Sequence, residues 1–156
     1  MALANCDSDY WREMRLRMIF LNEVPPWEEA TGGTPYVWLF TQFKFALNVA
    51  DPGEAGQITT SPATYAGYGQ ATYNRGPAAW TFTGTGTANP KVANTQSIAW
   101  PEKTDAGSQA INAVSFAMIY SGTDYSVARD ALAAPVDVDQ FERPNLPSAS
   151  FTVEAF

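Results

Sequence analysis

Asp137 and Asp139 flank Val138 just after Pro135, and the two-residue period of a strand puts both carboxylates on one solvent face. Paired acids hydrolyse glycosides when a partner sits at the required separation. Nothing in the sequence shows that partner, and a charged edge strand that resists unwanted pairing is the commoner use. Asp51-Pro52-Gly53-Glu54 has Pro and Gly where a type II turn wants them. A calcium loop needs more oxygen ligands at regular spacing, so the stretch reads as a corner with solvated acids. Histidine is absent, which removes the commonest general base and the commonest ligand for zinc, copper and iron. Serines and threonines abound, but without histidine or a Ser-x-x-Lys pattern no route to activate one is visible. Gly67-Tyr68-Gly69 and Gly84-Thr85-Gly86 precede no helix, so neither is a phosphate cradle. The expectation is a protein that is not an enzyme and carries no metal or cofactor.

Tyr65, Tyr68, Tyr73, Trp80 and Trp100 could stack on sugar rings as in a carbohydrate-binding module. They serve equally well as cross-strand pairs, and core or subunit interface is the preferred reading.

The bulk numbers narrow the partners. At 156 residues the chain fits one domain, with about 70% of its unfolded surface buried on folding. Nine basic residues against 16 acidic give a net charge of -7, and the bases are scattered apart from Arg12, Arg15 and Arg17. No stripe can neutralise phosphates, so nucleic acid is not an expected partner. Cys6 is the only cysteine, which excludes an internal disulfide and suits a reducing cytoplasm. No leader-like opening and no apolar run of about 18 residues occurs, so a soluble chain with no membrane partner is expected.

Asp7 to Glu23 reads as one helix, with Asp7 or Ser8 as N-cap and Pro25-Pro26 as its stop. Trp11, Met14, Met18 and Leu21 form one apolar arc, while Leu16, Ile19 and Phe20 project elsewhere. A helix packed only on its own domain needs a single arc. The surplus fits either a neighbouring chain or a covering loop at Pro25-Pro26-Trp27. Tyr36 to Val49 alternates with period two, placing Val37, Phe43, Phe45 and Leu47 on a core face and Trp38, Lys44 and Asn48 on the other. It reads as one long strand or as two with a bend near Thr41-Gln42. Short strands follow at Ala63–Tyr73, Ala79–Thr85, Gln96–Trp100, Ile111–Tyr120, Ser126–Leu132, Val136–Asp139 and Ala149–Phe156. Gly84–Pro90 and Glu142–Ser148 read as exposed loops. The predicted fold is all-β: an antiparallel, jelly-roll-like β-sandwich of about eight strands with one N-terminal α-helix. It forms a single domain over 1–156, with helix and connecting arm at 1–35 and sandwich at 36–156.

The order of these pieces resembles a family of small tailed-bacteriophage virion proteins. In that family a short helix precedes a strand of the type L-x-L-A-L-F-T, a D-P-G-E corner and a Y-x-G-Y-A-R strand. The matching stretches are Tyr36-Val37-Trp38-Leu39-Phe40-Thr41, Ala50-Asp51-Pro52-Gly53-Glu54 and Tyr65-Ala66-Gly67-Tyr68-Gly69-Gln70-Ala71. Looser matches run through Ile98-Ala99-Trp100-Pro101, Ala113 to Ala117, Pro135 to Val138 and Ala149 to Val153. Two departures stand out: Gln42 to Val49 lengthen the strand before the corner, and Gln70 replaces the family's arginine.

The resemblance implies a capsid decoration or cement protein, located in the virion on the capsid exterior and assembled in the host cytoplasm. Its partners would be the major capsid protein and copies of itself, as a homotrimer; a tail or tail-fibre adaptor is the alternative placement. The residues expected at such contacts are Trp11, Met14, Leu16, Met18, Phe20 and Trp27 from the N-terminal segment, with Lys44 and Asn48 from the lengthened strand. The same residues could instead complete one enlarged core, since periodicity does not separate inter-chain from intra-chain packing.

Overall fold

The computed structural model describes residues 9–24, 40–53, 57–87, 89–120 and 123–154. Its elements are an α-helix (α1, Asp9–Leu16) continued by a π-helical turn (Arg17–Leu21), then nine strands. The strands are β1 (Gln42–Asn48), β2 (Ala71–Asn74), β3 (Trp80–Thr83), β4 (Lys91–Asn94), β5 (Ile98–Ala99), β6 (Gln109–Tyr120), β7 (Thr123–Val138), β8 (Asn145–Leu146) and β9 (Thr152–Glu154). All strand pairings are antiparallel, in three sheets ordered β2-β1-β6-β7, β3-β4-β9 and β5-β8. The fold is thus sandwich-like all-β with a single short N-terminal helix. Two compact units share the chain, one of Met1–Trp38, Arg75–Ser97 and Pro147–Phe156, the other of Leu39–Asn74 and Ile98–Leu146.

In the first unit the helix differs from the expected uniform α-helix over Asp7–Glu23. Its predicted caps, Asp7, Ser8 and Pro25-Pro26, lie outside the described residues. The π turn closes through i→i+5 bonds and so inserts an extra residue. That change of phase acts on Phe20 and Leu21, which are buried in this unit's core together with Met14 and Leu16 on α1. Phe20 meets Trp80 edge-on at 4.7 Å, and Trp80 meets Phe151 at 6.2 Å. The last helical carbonyls lack intrahelical donors, and Arg75 supplies them. Its Nε donates to the Ile19 carbonyl at 2.7 Å, and its Nη2 donates to the Met18 carbonyl. Burial pulls the Arg75 guanidinium down to about 10, which leaves it charged at neutral pH.

Glu13, itself buried, accepts from Arg17 Nε at 2.8 Å and from the Gly86 backbone N–H at 2.9 Å. Arg17 also donates to Glu23 and to Thr85 Oγ1, and its guanidinium lies 4.2 Å over the Phe82 ring. The stretch read as a free loop at Gly84–Pro90 is therefore the helix's anchor on the β3–β4 hairpin. Strand β4 escaped the sequence reading because Lys91-Val92-Ala93-Asn94 carries only two apolar residues beside Pro90. Its buried Asn94 ties the C-terminal segment down. Asn94 Nδ2 donates to the Gln96 and Pro147 carbonyls at 2.8 Å each, and Asn94 Oδ1 accepts from the Phe151 N–H at 2.9 Å.

In the second unit Phe43 and Phe45 on β1 pack against Phe116 on β6 at 4.8 and 5.0 Å. The opposite face of β1, which the alternation made polar, is covered within the chain around Ala46 and Asn48. Ala46 and Asn48 are fully buried, and Ile58 packs with Ala46 and Ala117, whose small side chains let it approach. Ser115 Oγ donates to Asn48 Oδ1 at 2.7 Å, and Asn48 Nδ2 donates to the Thr60 carbonyl at 2.7 Å. The described part of the predicted strand Tyr36–Val49 starts at Gln42; residues 36–39 lie outside the description. The expected strands Ser126–Leu132 and Val136–Asp139 are one, β7, joined across an irregularity.

Candidate functional site

The second unit contains a cleft made by that irregularity. Ile111 pairs with Val136 and Ala113 with Ala131, so residues 132–135 of β7 oppose Asn112 alone. Pro135, which has no N–H to donate, falls inside this bulge where no ladder bond is required. Leu132 and Val136 then line a cleft of about 390 Å³ with Trp100, Val114 and Leu146. Its interior is apolar, and Asp137, Glu142 and Arg143 add charge along it. The volume falls in the usual range for ligand and anchor pockets, about 300–1,000 Å³. Trp100 is held by its indole N–H, which donates to the Phe45 carbonyl at 3.1 Å, and by its backbone N–H on the Pro144 carbonyl at 3.0 Å.

Next to the cleft, residues 139–142 form a clasped turn. Glu142 N–H donates to the Asp139 carbonyl at 3.1 Å, and Asp139 N–H donates to Glu142 Oε2 at 2.8 Å. Phe141 has a φ of +67° and is 70% exposed. A left-handed backbone is an outlier for a bulky residue, and a strap at Lys103-Thr104 holds it. Phe141 N–H donates to the Lys103 carbonyl at 2.8 Å, Lys103 N–H to the Glu142 carbonyl at 2.9 Å, and Gln140 Nε2 to the Thr104 carbonyl at 3.2 Å.

The strap is itself fixed. Lys103 is buried, and its Nζ donates to the Asp105 carbonyl at 2.5 Å and to Asp105 Oδ1 at 2.9 Å. Asp105 Oδ1 also accepts from the Ala66 N–H at 3.0 Å. Beneath it Gly67 has a φ of +93°, and a Cβ there would lie 2.7 Å from the Glu102 carbonyl oxygen, so only glycine fits.

The hydrogen bond from Lys103 holds the Asp105 carboxyl below its ordinary 3.8. A depressed carboxyl pKa adds stability that is complete above the ordinary value and is lost as pH falls through the folded one. Melting temperature is therefore expected to drop as pH falls below the ordinary carboxyl value. Lys103→Met should shrink that drop and lower the melting temperature at pH 7. An unchanged acid dependence in this variant would contradict the assignment.

The residues expected at contacts are dispersed. Trp11 is 48% exposed, and Met18 and Lys44 are half-buried. Met14, Leu16, Phe20 and Asn48 are buried within the chain; Phe20 packs on Trp80, and Asn48 is held by Thr60 and Ser115. Trp27 lies outside the described residues. The cleft and Phe141 went unnoticed in the sequence. The available signals were Pro135 between the alanine-rich Ala131-Leu132-Ala133-Ala134 and Val136-Asp137-Val138, and a lone aromatic in Asp139-Gln140-Phe141-Glu142.

The aromatics offered for sugar stacking face inward. Tyr65, Tyr73, Trp80 and Trp100 are buried. Tyr65 OH donates to the Pro101 carbonyl at 3.1 Å, and burial pushes its phenol up to about 12. Tyr68 OH caps the β1 edge, donating to the Leu47 carbonyl at 3.3 Å and accepting from the Leu47 N–H at 3.0 Å. Four of the five aromatics are thus buried, and Tyr68 is half-buried. Asp51 Oδ1 accepts from the Gly53 N–H at 2.9 Å, and Gly53 has a φ of +69°, so this part of the corner is an Asx-stabilised turn. Glu54 lies outside the described residues. Asp137 and Asp139 are both exposed. Among the described residues no three acidic or cysteine side chains group where they could hold a metal, and no helix is long and apolar enough to cross a membrane. No model of a known protein family matches the chain, and no curated protein matches it.

Proposed function

We propose that this chain is a non-catalytic structural protein of a tailed-bacteriophage virion, a decoration protein that self-associates and binds the major capsid protein lattice to stabilise the shell. The observation that supports it is the pair Tyr10 and Trp11, 49% and 48% exposed on the first turns of α1, while the helix's remaining large apolar side chains are buried or half-buried. The buried polar groups Glu13, Asn48, Asn94, Lys103 and Ser115 hold the chain's own segments together. The surface is what is left to act with. Burying each exposed aromatic against a neighbour is worth about 1.5–3 kcal/mol, and a repeating lattice turns later contacts into intramolecular ones. A net charge of -7 suits the face of a shell turned away from its polyanionic genome.

The test is the copy number and position of this chain in purified virions, measured by cryo-electron microscopy with quantitative mass spectrometry. On the order of hundreds of copies on the shell are expected. About three to twelve at the tail would replace this reading with a tail adaptor, and absence from particles would end both. Trp11→Ala is expected to lower shell occupancy without lowering the melting temperature of the free protein.

A further inference from the structure

We propose that two copies of this chain join by each inserting its Phe141 into the apolar cleft beside the β7 bulge of the other. Phe141 is the most exposed large apolar side chain among the described residues. It occupies a left-handed backbone position that glycine would fill without strain. Strain of this kind persists only where the surroundings over-determine it, and here the Lys103 carbonyl and the Asp139–Glu142 clasp do so. The result is a benzyl group held out into water at a fixed angle. The receptor is as specific: Leu132, Val136 and Trp100 line about 390 Å³ of apolar space, and Val136 is itself 55% exposed.

Charge selects a second copy as the occupant. Asp137 and Arg143 both line the cleft, and neither forms an ion pair among the described residues. Two identical patches that carry Asp137, Glu142 and Arg143, with Glu142 already held by the Asp139 N–H, can meet with each Arg143 facing an Asp137 of the other copy. That contact offsets locally the repulsion between bodies of net charge -7. Plug and socket are also close in the chain, since Phe141 falls between the lining residues Val138 and Glu142. The reciprocal contact then closes a two-fold symmetric pair. The inference deepens the proposed function, because it supplies the surface for the self-association that reading requires, and it rests on that reading.

Sedimentation velocity of the full chain over a concentration series tests it. The wild type is expected to associate, and Phe141→Gly to weaken association about ten- to a hundredfold per contact. In dilute, monomeric samples the melting temperature of Phe141→Gly should not fall, because glycine relieves the left-handed strain. Arg143→Asp should weaken association, and adding Asp137→Arg should restore it. A monomeric wild type, an association constant unmoved by Phe141→Gly, or a charge exchange that fails to restore would each overturn the proposal. Assembly through Phe141 by a chain missing from virions would sink the functional reading and leave this contact standing. A virion protein whose assembly ignores Phe141 would do the reverse.

Discussion

Trp100→Ala is expected to destabilise the second unit by about 3–5 kcal/mol, the usual cost of removing a large buried aromatic. Trp100 is almost wholly buried, and its indole N–H donates to the Phe45 carbonyl. Truncation removes a ring that lines the cleft together with Ile111, Val114 and Leu47 and deletes that hydrogen bond. Chemical denaturation followed by far-ultraviolet circular dichroism measures the loss. Trp100→Phe keeps most of the ring and deletes only the N–H donor, so about 1–2 kcal/mol is expected for it. Equal effects from the two variants would mean that the hydrogen bond, and not the packing, holds this residue in place. A native-like stability of Trp100→Ala would refute the placement of Trp100 in the core.

Asn94→Leu carries the second large effect, about 2–4 kcal/mol, and its cause is polar. Leucine has a similar size, so little volume is lost. The Phe151 N–H and the Gln96 and Pro147 carbonyls nevertheless each lose a hydrogen bond, while Pro147 keeps the one from the Ser150 hydroxyl. Each lost bond costs about 0.5–1.5 kcal/mol, and the three together give the expected loss. Hydrogen exchange gives the sharper readout. Phe151 and the β9 amides should exchange faster, because β9 pairs with β4 through only three residues, Lys91 to Ala93, while the β6 amides stay protected. Loss of protection in β6 as well would mean that the two compact units unfold as one.

How far the fold was legible depends on how far each signal is local. Phe43, Phe45 and Leu47 mark the core face of β1, and Ile111 to Tyr120 stands out as apolar enough for a central strand; both are strands here. The Asp51 corner was readable because turn chemistry lies in neighbouring residues. Lys91–Asn94 and Asn145–Leu146 were missed, since strands of four and two residues owe their pairing to remote partners and not to their own composition. Asn48 looked like a surface residue by alternation. Its burial depends on Ile58, Thr60 and Ser115, none of which is near it in the β1 pattern. The cleft was illegible for the same reason, because a four-against-one slip in the β6–β7 register is a property of two strands together.

Composition and periodicity alone determined that this chain is β-rich with one N-terminal helix and no histidine to work with, because hydrophobic period and residue chemistry are written residue by residue. Tertiary structure decided which apolar residues are spent inside and which remain outside. It buried Met14 and Leu16 on α1 and Phe20 on the π turn, and left Tyr10, Trp11 and Phe141 exposed. The physical reason is that burial is a property of what lies across the gap, and the covering residue comes from a distant part of the chain.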